Sequence, residues 1–154
     1  SNFAPAYLWF NGNNEYRYLL GDPIVRNGPT YINKPAGSIK DAKAKIFPFK
    51  VHRGKQPYDP VNKVLIPPIT SGEGGFWSKF DWPLAAEKGM QTAGLPYSGK
   101  FDFLPTHMSW PINHMTTPAK KALTCTQCHS KDGRMDWKAL GYEQDPAGGK
   151  PYGA

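Results

Sequence analysis

Residues 125–129 read Cys-Thr-Gln-Cys-His, and they hold both cysteines of a 154-residue chain. Thiols and imidazoles serve disulfide exchange, nucleophilic attack and metal binding, and spacing decides among these uses. Residues at i and i+3 of a helix share one face, so both sulfurs can reach one object. Two thiols on one face can add to the vinyl-derived carbons along one edge of a porphyrin. The adjoining imidazole can then turn its ring up to the central iron. C-x-x-C-H is the pattern of covalent haem attachment. The motif therefore predicts one covalent haem c, linked through Cys125 and Cys128, with His129 as the proximal iron ligand.

Three rival uses of the same residues are weaker. A lone disulfide, or a pair of free thiols, has no need of the histidine. A thioredoxin-like redox pair belongs in a βαβ setting, which the surrounding sequence does not show. Zinc needs two more ligands, and the usual second CxxC or HxxxH pair is missing. For haem iron, the candidate distal ligands are His52, His107 and His114. Met108, Met115, Met90, Met135 and the lysines are outside candidates. A methionine ligand raises the potential, whereas a second histidine keeps it low. Trp110, Trp137, Tyr142 and Phe103 flank the motif and are expected to pack either on the macrocycle or in an ordinary core.

The elements that must carry these residues are short. Thr117-Pro118 predicts a helix start: threonine caps free N–H groups, and proline at the first position loses no hydrogen bond. Ala119 to Leu123 has good helix propensity, and the helix is expected to run on through Cys125 and Cys128. A second short helix is expected at Asp136 to Leu140, ended by Gly141. A third is expected at Pro83 to Lys88, with Gly89 at its end. Turn signals at Asn11–Asn14 and Asn27–Pro29 set off Glu15–Leu20 and Thr30–Ile32, which read as a hairpin. Ile46–His52 and Val61–Ile69 look extended, although Pro48 confines the former to an edge or irregular strand. Ser71–Trp82 is a glycine-rich loop leading into aromatics, and no Lys-Ser or Lys-Thr pair follows the glycines to make a phosphate loop.

Composition agrees with a loop-rich fold. The chain has 16 prolines and 16 glycines, 39% hydrophobic and 14% aromatic residues. The expected fold is mostly irregular coil with a few short α-helices and small β-hairpins, organised around the covalent haem, with no dominant sheet. Residues 1–154 are expected to form a single domain, with the haem-attachment segment at about 106–142. The net charge of +7 suits a solvated basic surface or an acidic protein partner. No run of five basic residues occurs, which argues against nucleic acid. No apolar run is long enough to span a membrane. Haem attachment to CxxCH takes place outside the cytoplasm, so a periplasmic or extracellular location is expected, from a secreted precursor.

From about Lys50 onward the sequence resembles a known family. "FKVHRGKQPYD", "GEGGFW" and "THMSWPINHMTTPAKKALTCTQCHSKDGRMDWKALGY" are similar to the C-terminal region of octahaem c-type cytochromes of the tetrathionate reductase family, related to multihaem nitrite reductases and hydroxylamine oxidoreductases. The resemblance implies a multihaem-cytochrome-like fold and a periplasmic or cell-surface redox protein whose haems are mostly bis-histidine. It also implies that a histidine near one haem motif serves another haem, so at least one of His52, His107 and His114 is expected to ligate iron in a partner chain. The departure is large: this sequence has one haem motif, and the C-x-x-C-K motif of the family's active-site haem is absent. The function implied is electron transfer by a mono-haem subunit or domain that packs on a multihaem cytochrome to complete an octahaem-type complex. It would be a separately encoded subunit or a piece of a longer cytochrome. The alternative is a component of a multihaem reductase whose catalytic haem lies in the partner, with tetrathionate, nitrite or hydroxylamine-type chemistry. Lys55 and Lys79, or Glu73 with Asp81, could then reach across, although nothing in their spacing selects them. A third reading is a structural cap whose haem only staples the chain.

Overall fold

The computed structural model describes residues 4–113 and 117–148, which fall into two compact units. Among the described residues the first unit comprises 4–15, 34–51, 109–113 and 117–148; the second comprises Tyr16–Asn33 and His52–Met108. Two long strands, β5 (Lys45–Asp59) and β7 (Asp102–Pro111), run through both.

In the first unit, β1 (Ala6–Phe10) pairs antiparallel with the start of β5, in the register Ala6 to Phe49 and Phe10 to Lys45. The strands bring Phe10, Phe47 and Phe49 into an edge-packed aromatic cluster. Phe49 is fully buried, and Ala44 and Leu140 add to this core. Pro48 is not at an edge, contrary to expectation: it faces Tyr7 of β1, and its carbonyl accepts from Ile112 N–H at 2.9 Å. The N–H and C=O of one residue point to the same side of a strand. The donor that proline lacks is therefore missing on the Ile112 side, just past the end of β7, and the β1 ladder is untouched.

The second unit has its core where helix α2 (Trp82–Ala93) packs on Ile66. Ala86 and Met90 of the helix are fully buried against Ile66, with Val64, Leu95, Tyr97 and Phe101 around them. Asp81 caps α2 by accepting from Leu84 N–H, and Gly94 closes it in a left-handed conformation. The helix thus outruns the expected stop at Gly89. That glycine is needed for closeness, since a Cβ there would sit 2.0 Å from the Pro67 carbonyl oxygen. Before it, α1 (Phe76–Lys79) is a single turn ending at Phe80.

The expected hairpin is met only in part: Tyr18 N–H donates to the Ile32 carbonyl at 2.8 Å, while its two strands find other partners. β3 (Thr30–Tyr31) pairs in parallel with Thr106 and His107 of β7, and β6 (Val64–Leu65) pairs antiparallel with Tyr58 and Asp59 of β5. β2 (Asn14–Arg17) pairs instead with β4 (Asn33–Pro35), where Glu15 and Lys34 form an exposed ion pair. The mixed sheet is also larger than the coil-dominated expectation. Prolines 48, 57, 105 and 111 lie within β5 and β7 and read as breakers, and His52–Gln56 is exposed along its whole length. Both features hide the period-2 signal of a half-buried strand.

Candidate functional site

The two cysteines lie on α3 (Cys125–Cys128), a single helical turn in the first unit. The expected long helix from Thr117 breaks up. Ala119–Lys121 is one 3-10 turn, and a new start follows at Thr124. Thr124 and Gln127 form a capping box, with Thr124 N–H donating to Gln127 Oε1 at 2.9 Å. This reciprocal cap stabilises a turn too short to persist by propensity alone. The turn closes as His129 N–H donates to the Cys125 carbonyl at 2.7 Å. The chain then folds back: Arg134 N–H reaches the Gln127 carbonyl at 3.0 Å. Gly133 permits this, because a Cβ there would lie 2.5 Å from the Cys128 carbonyl oxygen.

His129 is held from two directions. Its Nδ1 lies 2.7 Å from Asp145 Oδ1. Its ring stacks on Trp137, with centroids 4.9 Å apart and planes 19° from parallel. Trp137 meets Tyr142 edge to face at 5.6 Å, and Tyr142 stacks on Trp9 at 6.3 Å. Trp9 Nε1 donates to the Leu140 carbonyl at 2.8 Å, which ties this segment to β1. The Asp136–Leu140 region is one hydrogen-bonded turn, with Leu140 N–H bonded to the Asp136 carbonyl, where a short helix was expected.

Asp145 has conflicting influences. Burial penalises its charged form, but the bonds from His129 and from Ala147 N–H outweigh that and hold the carboxyl below its ordinary range. Its Oδ2 is buried without a hydrogen-bond partner among the described residues, as is Trp137 Nε1. A groove of about 740 Å³, lined by Arg134, Met135, Trp137 and Asp145 among others, opens beside this cluster.

These residues fit a covalently held porphyrin. Both thiols are free; Cys125 is exposed and Cys128 half-buried. They sit on one helical turn with the imidazole next in sequence. A carboxylate on Nδ1 fixes the proton there and puts the ring lone pair on Nε2, the form in which imidazole binds metal.

The other candidates scatter. His52 is exposed on β5, and His107 packs edge to face on Tyr31 at 5.4 Å; both belong to the second unit. His114 and Met115 lie outside the described residues. Met90 is fully buried in the α2 core, which removes it as a ligand. Met108 lies on β7 in the second unit, whereas Met135 lines the groove beside Asp145. Among the described residues no group of three or more His, Cys, Asp or Glu side chains could hold a metal ion. Trp137 and Tyr142 do pack around the motif. Trp110 is exposed on β7, and Phe103 joins Trp82 and Phe101 in the second unit. Lys55, Lys79 and Glu73 are exposed, and Asp81 is occupied as a helix cap. Asp145 was not singled out in sequence. The Asp-Pro pair signals a turn, which the bond to Ala147 N–H bears out, but nothing local points to His129.

A family model for bacterial cytochrome c matches residues 1–132. The chain belongs to the bacterial cytochrome c family, whose members carry covalent haem c and transfer electrons. Among solved structures it is similar to the octahaem cytochrome c from Shewanella oneidensis, at 50% identity and a TM-score of 0.84. That match covers 92% of this chain and 34% of the other, so the chain spans about a third of that protein's length. The likeness therefore extends into the region before Lys50. No curated protein matches the chain. Among the described residues no helix is long and apolar enough to cross a membrane.

Proposed function

We propose that this chain is a mono-haem c-type cytochrome subunit or domain. Cys125 and Cys128 would carry the thioether links, and His129 would bind the iron on the proximal side. The observation that carries this is the capped turn holding two free thiols beside an imidazole whose Nδ1 is fixed by Asp145. Bound haem c supplies a one-electron Fe(III)/Fe(II) couple; the chain's own residues orient the ring, hold the ligand and set the local dielectric.

The same reading has the chain pack on a multihaem c-type cytochrome to complete an octahaem-type wire. Three features support a partner. The matching structure is an octahaem cytochrome about three times as long. Trp77 and Phe80 are 67% and 72% exposed, a costly display for side chains that bury well. His52, His107 and His114 exceed what one iron can use, and at least one of them would ligate a partner haem. A periplasmic or extracellular location belongs to this reading.

Mass spectrometry of native protein tests it directly: a mass increased by one haem is expected, together with the visible spectrum of a c-type cytochrome. The bare polypeptide mass would sink the assignment. Replacing His52 and His107 singly by alanine in the assembled complex tests the ligand exchange, along with H114A. Partner-haem spectra unchanged in all three variants would remove it.

A further inference from the structure

We infer that Asp145 is a positioning residue that tunes the reduction potential of the haem through His129. This rests on the proposed haem attachment. The geometry is direct: Asp145 Oδ1 lies 2.7 Å from His129 Nδ1 and also accepts from Ala147 N–H at 2.9 Å. The carboxylate is thus oriented by its own turn before it meets the ring. Trp137, stacked 4.9 Å away, fixes the ring plane from a second side.

A carboxylate bonded to the outer nitrogen of a ligating imidazole raises the basicity of the inner nitrogen. It also places a negative charge one ring away from the metal, largely shielded from solvent. Both effects favour Fe(III) over Fe(II) and lower the potential. Lys131, Arg134 and Lys138 line the same groove and act in the opposite sense. They are exposed, so water and salt screen them. The carboxylate in contact with the ring dominates.

The test uses the native haem-bearing protein and the variants Asp145→Asn and Asp145→Glu, with midpoint potentials read by spectroelectrochemistry. D145N keeps the shape and an acceptor oxygen but loses the charge. Its preference for the ferric form should fall about tenfold, which for a one-electron couple is about 59 mV upward. D145E, which retains the charge, should lie closer to wild type. D145N with haem attached and an unshifted potential overturns the inference. Should D145N take up no haem, the wild type decides. A His129 Nδ1 proton that exchanges slowly with solvent in the NMR spectrum supports the carboxylate bond; a rapidly exchanging one overturns it. Wild-type protein without haem sinks the parent reading, and this one with it. That failure is visible in the mass before any potential is measured.

Discussion

Asp59 and Asp145 are both carboxylates taken largely out of water, yet they are built in opposite ways. Asp59, at the end of β5, is fully buried and accepts five hydrogen bonds. They come from Val61 N–H, Asn62 N–H and Nδ2, and Ser98 N–H and Oγ, at 2.7–3.0 Å. Its ligands are backbone groups and small polar side chains of its own unit, and both oxygens are saturated. Asp145 has one oxygen shared between a histidine ring and one backbone N–H, and the other without a partner among the described residues. A saturated carboxylate organises a loop and has no capacity left over. One committed to a ring nitrogen spends its charge on that ring. The difference teaches where to look for function in a fold with many turns: at the polar group whose pairing is incomplete.

The comparison breaks most readily at Asp59. Asp59→Asn puts an amide NH₂ against donors that now face oxygen. The loss of charged hydrogen bonds should destabilise the protein by about 2–4 kcal/mol, read by denaturant unfolding. Asp145→Asn should cost clearly less in the same assay while shifting the potential. Equal stability losses would erase the distinction between the two sites.

Acid sharpens it. In Asp59 burial opposes ionisation, but the bonds from Asn62, Ser98 and Val61 outweigh it and leave its pKa below the ordinary 3.8. A lowered folded pKa contributes stability that is fully present above the unfolded value and is lost as pH falls through the folded one. The gap between wild type and D59N should therefore be flat above about pH 5 and shrink steadily below about pH 4. A gap independent of pH would show that the charge of Asp59 is not what its donors stabilise.

Gly89→Ala tests the close approach of α2 to Pro67. The clash is with backbone, so overpacking of about 1–3 kcal/mol is expected. A thermal midpoint matching wild type would mean that the helix can shift at no cost. The smallest effect is expected at the motif's own cap. Gln127→Ala removes the acceptor for Thr124 N–H and should destabilise the Cys125–Cys128 turn by about 1 kcal/mol or less. In protein made without haem it should appear as faster amide exchange at Thr124, with the β1–β5 amides unaffected.

Much of the site was legible in sequence because its chemistry is local. Two thiols three residues apart, followed by a histidine, share one face as soon as a single helical turn forms, and here the Thr124–Gln127 cap stabilises that turn. Trp137 and Tyr142 lay close enough in sequence to be suspected. The partner of β3 was not legible, since a two-residue strand carries no pattern that says whether it pairs with a neighbour or, in parallel, with residues far along the chain. Nor was the burial of Met90, or the reach of Asp145 to His129, 16 positions back along the chain. By itself the sequence determined the kind of chemistry: two thiols and an imidazole at a haem-attachment spacing, on a basic, turn-rich chain. Tertiary structure alone decided which carboxylate holds the imidazole and which methionine is locked in a core. Such pairings depend on how distant segments close on one another, and short-range spacing does not encode loop closure.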